Sequence, residues 1–116
     1  MDRQSIYNRV RDHLLAQNQK AKGGCGYSVP LYRYQNKAGL KCAIGCLMPA
    51  GHPALNAQGG VHAMLQQHPD LERLWEVAVH EDINFLGYLQ SIHDGCTPLE
   101  WPAKLREFAA RQGLEA

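Results

Sequence analysis

The sequence predicts an α+β fold that is mainly α, with one β-hairpin packed against about five short helices. Three observations carry this. Apolar residues recur at helical spacing in residues 6–15 and 83–93. Residues 27–34 are rich in β-formers and lead into the polar turn QNKAG. Elsewhere proline and glycine cut the chain into short segments that suit helical turns.

Asp2 caps the first expected helix, about residues 3–19, whose apolar stripe is Ile6, Tyr7, Val10, Leu14 and Leu15. A polar run with Gly23 and Gly24 ends it and opens a loop. The hairpin pairs Leu31 to Tyr34 with Leu40 to Cys42, and Pro30 stands at its start, where a missing N–H costs least. A buried helical turn is expected from Ala43 to Met48, closed by Pro49, and a loop follows through Pro53, Gly59 and Gly60.

A short helix over residues 61–67 buries Val61, Met64 and Leu65. Pro69 then begins another as its first residue, with Leu71, Leu74, Trp75 and Ala78 inward. Ile83, Leu86, Leu89, Ile92 and His93 mark the next, closed by Gly95, and its outer face carries Gln90 and Asp94. The last segment has competing starts. Thr97 and Glu100 make a capping box, yet Pro102 would interrupt a helix begun there, so one turn at 98–101 and a helix from 102 to 112 are expected. Leu105, Phe108 and Ala109 face the core.

At 116 residues the chain makes a single domain, residues 1–116, able to hide about two-thirds of its unfolded surface. Its hydrophobic content of 45% against 20% charged residues sets it apart from disordered chains. No run has the length of a membrane span or a signal peptide, so a cytoplasmic protein with reduced thiols is expected. The net charge of +1 hides an asymmetry: residues 1–60 carry eight bases against two acids, residues 61–116 four against nine. Folding brings such halves together and largely cancels them.

Chemistry is sought first in LKCAIGCLMP. On a helix Cys42 and Cys46 would share a face, and with His93 and Cys96 they would complete a Cys3His set suited to zinc. Neither Cx3C nor Hx2C is a zinc-ribbon knuckle, and Gly95 separates His93 from Cys96, so no metal or other cofactor is assigned. A cysteine-dependent enzyme would use Cys42 as nucleophile at a helix start and His93 as its base. Asp94 cannot easily orient its own neighbour, since adjacent helical residues point about 100° apart. The plainest reading makes both cysteines small core residues.

HEDIN begins like a zinc-protease HExxH but has Asn84 where the second histidine must stand. His52, His62 and His68 share no helical face and are expected at the surface. Around the hairpin, Tyr27, Tyr32, Arg33, Tyr34, Lys37 and Lys41 interleave aromatics with bases, a pattern that stacks on nucleobases and neutralises phosphates. The near-neutral whole-chain charge weighs against nucleic acid as the main partner.

GLKCAIGCLMP, LQSIHD, and Trp101 with LREFAARQGL together resemble a group of small uncharacterised bacterial and phage proteins. The group has no established activity. The resemblance therefore implies a self-contained module of mobile-element origin and assigns no catalytic residue. The expected function is a small intracellular protein-binding module, phage-related, acting on a host protein through Tyr32, Arg33, Tyr34, Lys37 and Lys41. A homodimer through the same edge, a Cys42/His93 enzyme and a nucleic-acid-binding module are the alternatives.

Overall fold

In the computed structural model, helix α1 (Arg3–Gln17) begins where the sequence requires it. The Asp2 carboxylate accepts the Ser5 N–H at 2.8 Å, and Asn18 closes the helix in a left-handed conformation with φ 49°. The structure describes residues 1–21, 25–28, 31–32, 34–36, 38–57 and 60–116, with the backbone alone for 25–28 and 31–32. Helices α2 (Val61–Gln67), α3 (Asp70–Trp75), α4 (Val79–Gly95) and α5 (Trp101–Gln112) follow, with short 3-10 turns at Gly45–Leu47 and Pro53–Asn56.

The fold class is a correction. The described residues make a mainly helical protein of five helices, not an α+β fold, and no hairpin of Leu31 to Tyr34 with Leu40 to Cys42 packs against them. Of that pairing only an isolated bridge, Gln35 with Lys41, is present. Tertiary partners explain why. Tyr34 and Gln35 both donate their N–H groups to the Leu55 carbonyl. Gln17 of α1 takes the Lys41 N–H and also donates to the Lys41 carbonyl, where His13 joins it. A side-chain amide thus occupies the edge a strand would need. The only other extended pairing among the described residues is Cys25–Ser28 with Leu31–Tyr32, irregular in register and too short to form a layer. The loop at Gly23 and Gly24, Pro30 and the Gly59 loop lie outside the described residues.

The core gathers one face of each helix. Ile6, Tyr7, Val10 and Leu14 are buried, but Leu15 is exposed, because α1 turns it off the stripe. Leu74 and Ala78 are likewise exposed, since α3 ends at Trp75 and Glu76 turns the chain through φ 56°. Buried polar groups find partners across elements: the Tyr7 hydroxyl donates to Leu105 O, Trp75 Nε1 to Leu47 O, and Trp101 Nε1 to Ile92 O. Gly45 is required by close approach, for a Cβ there would stand 2.0 Å from the Tyr34 carbonyl oxygen.

The last helix starts one residue earlier than expected. Thr97 N–H donates to Glu100 Oε1 at 2.9 Å, and the helix then begins at Trp101. Pro102 therefore falls in the first turn, where a missing N–H is no loss. No helix among the described residues is long and apolar enough to cross a membrane.

Candidate functional site

A groove runs along one face of α4, flanked by α2. Ile83, Gly87, Tyr88 and Asp94 line it from α4, Val61 from α2, and Tyr34 closes one side. Its volume is about 590 Å³, within the usual span for ligand clefts. From Ile83 to Asp94 the helix advances about 16 Å, so the groove is long rather than round.

Two lining glycines, Gly60 and Gly87, keep the groove open, and Gly87 stands within a helix. A Cβ added at Gly87 would meet nothing within 4 Å. A glycine inside a helix costs about 0.5–1 kcal/mol relative to alanine, and at Gly87 no packing neighbour offsets that cost. Tyr88 stands on the rim, 59% exposed, its ring 6.4 Å from that of Phe108. The walls are mainly apolar. The polar groups along it are Asn84, Gln90, Ser91 and Asp94 of α4 and His62 of α2.

Asp94 is held from behind by a buried network. Ala21 N–H donates to His93 Nε2 at 3.2 Å, which places the imidazole proton on Nδ1. Nδ1–H then donates to Asp94 Oδ1 at 2.7 Å. Gln90 Nε2 donates to the same oxygen at 3.3 Å, while its Oε1 accepts the Ile44 N–H. His93 is fully buried and stacks on Trp101 with ring centroids 5.5 Å apart. Asp94 Oδ2 has no hydrogen-bond partner among the described residues, and the Asp94 side chain is 26% exposed. Lys20 Nζ meets this residue at its main-chain oxygen, 2.9 Å away.

The cysteines lie elsewhere in this chemistry. Cys42 is buried and directs its thiol to Tyr34 O at 3.7 Å. Cys46 directs its thiol to Ala43 O, and burial, followed by the neighbouring Cys42, pushes its pKa up to about 12. That keeps it protonated at neutral pH. No hydrogen bond joins Cys42, Cys46 or Cys96 to His93 among the described residues, and no group of three or more His, Cys, Asp or Glu side chains converges there on a metal position.

Of the expected partner-binding residues, Tyr34 is buried against the groove and Lys41 is half-buried. Arg33, Lys37 and the Tyr32 and Tyr27 side chains lie outside the described residues. His52 is half-buried: its Nδ1 accepts the Ala54 N–H and its Nε2 meets Asp70 at 2.7 Å. That hydrogen bond holds the Asp70 carboxyl below the usual range. His13 is also half-buried, and burial lowers its pKa.

Sequence reasoning placed Gln90 and Asp94 on the outer face of their helix, gave Gln90 no role and passed over Gly87 and Tyr88; it also held that Asp94 could not easily orient its neighbour His93, whereas the two side chains meet at 2.7 Å. The available signal was Gly87 itself, an isolated glycine in a strongly periodic helix. Compared with protein-family models, curated proteins and solved structures, the chain finds no match.

Proposed function

We propose that this protein is a small binding module that holds a short segment of a protein partner in the groove along α4. The open floor at Gly87 carries the reading, because a helix that keeps an unpacked glycine at the centre of a long apolar groove gives up stability without any gain in the fold itself. A phage-related origin and a host protein as partner complete the proposal, on the resemblance of the sequence. The setting is cytoplasmic; free thiols at Cys42, Cys46 and Cys96 suit a reducing compartment. A cysteine-dependent enzyme has less support, since both His93 nitrogens are engaged and Cys42 is buried with its thiol directed to Tyr34 O.

The test is selection from a library of random peptides, followed by mapping of backbone amide shifts. Selected peptides are expected to shift Val61, Gly87 and Tyr88 and to lose binding in Gly87→Leu, whose side chain fills the floor. Binding that maps elsewhere and survives Gly87→Leu overturns the proposal.

A further inference from the structure

We infer that the occupant of the α4 groove is an apolar peptide segment bearing one cationic side chain, lysine or arginine, that docks on Asp94. This deepens the binding-module reading and rests on it. Two observations select the occupant, one of shape and one of charge.

The shape suits one row of apolar side chains. The groove offers about 590 Å³ along about 16 Å of helix, and about five residues of extended chain span that length.

The charge is set by Asp94, the one acidic group among the described lining residues. Its Oδ1 is occupied by His93 Nδ1–H and Gln90 Nε2–H, which fix the carboxylate, while Oδ2 has no partner among the described residues. Ala21 N–H fills the other nitrogen of His93, so the ring orients the carboxylate through Nδ1–H, and the Lys20 ammonium is engaged by the main-chain oxygen of Asp94. A positioned carboxylate at the end of an apolar channel is matched by an alkyl stem ending in an ammonium or guanidinium. A carboxylate or phosphate on the ligand would be repelled.

The experiment uses capped five-residue apolar peptides that differ only at one terminal position: lysine, norleucine or glutamate. Affinity is read by amide shifts of the intact protein at low salt. The lysine peptide is expected to bind about five- to tenfold more tightly than the norleucine peptide. Asp94→Asn, which keeps the acceptor for His93, is expected to erase that difference. Equal affinity of the lysine and norleucine peptides on the wild type, or preference for glutamate, overturns the inference while leaving the groove as a peptide site. If n-octylammonium displaces the lysine peptide at equal concentration, the occupant is a small amine and the inference is likewise overturned. Failure of all three peptides to shift Gly87 or Tyr88 overturns the binding-module reading along with it.

Discussion

Ala21 and His93, 72 residues apart, are joined by a buried hydrogen bond from main-chain N–H to Nε2 at 3.2 Å. This contact chooses the imidazole tautomer and so decides which way His93 can act on Asp94. His93→Phe removes the acceptor and strands the Ala21 donor, at an expected cost of about 1–3 kcal/mol in urea unfolding. Imidazole nitrogen shifts should report Nε2 unprotonated at neutral pH. A protonated Nε2 would contradict the network.

Two glycines should respond with opposite signs. Gly45→Ala drives a methyl group into the Tyr34 carbonyl, 2.0 Å away, and should cost about 3 kcal/mol or prevent folding. Gly87→Ala meets open space and should stabilise the protein by about 0.5–1 kcal/mol. Thermal melts of the two variants beside the wild type decide the matter. Destabilisation by Gly87→Ala would mean that the groove floor is not open.

Stability should fall in two stages as pH drops. Burial lowers the His13 pKa from an unfolded value of 6.5. Below that value the unfolded chain binds a proton that the folded chain refuses, so stability declines from about pH 7 toward pH 5. Asp2, held by the Ser5 N–H, Asp70, held by His52, and Glu100, held by Thr97, have lowered values. Their contribution is present above their unfolded values of 3.8 to 4.5 and is lost only as pH falls below them. Urea midpoints measured from pH 7.5 to 3 should show both stages, and His13→Gln should flatten the first.

Thiol labelling should be slow at two known positions. Cys42 is fully buried and Cys46 has its pKa pushed up to about 12. Iodoacetamide at pH 8, read residue by residue by mass spectrometry, should modify both far faster in urea than in the native state. Rapid native labelling of Cys42 would reopen a catalytic role for it.

Trp101 should be a principal anchor of α5. It is fully buried, donates to Ile92 O and Cys96 O, and covers His93. Trp101→Ala is expected to cost about 3–5 kcal/mol in chemical unfolding. A loss below about 1 kcal/mol would remove it from the core.

Local chemistry was legible in the sequence where a helix needs only its own residues. The Asp2 cap, the Ile6–Tyr7–Val10–Leu14 stripe and the Thr97–Glu100 box act within a few positions of themselves, so spacing alone announced them. Leu15 and Leu74 misled because a stripe read from hydrophobicity does not say how wide a strip the neighbouring elements cover.

By itself the sequence determined five helices near their observed bounds and a buried Cys42. The tertiary structure alone decided that Lys41 pairs with the Gln17 side chain instead of a strand, that His93 faces Ala21, and that Gly87 opens onto a groove ending at Asp94. The physical reason is the distance over which each choice is made. A cap or a stripe is settled by groups three or four residues apart, whereas a main-chain N–H or an imidazole nitrogen takes whichever partner folding brings to it, and that partner is named nowhere near it in the chain.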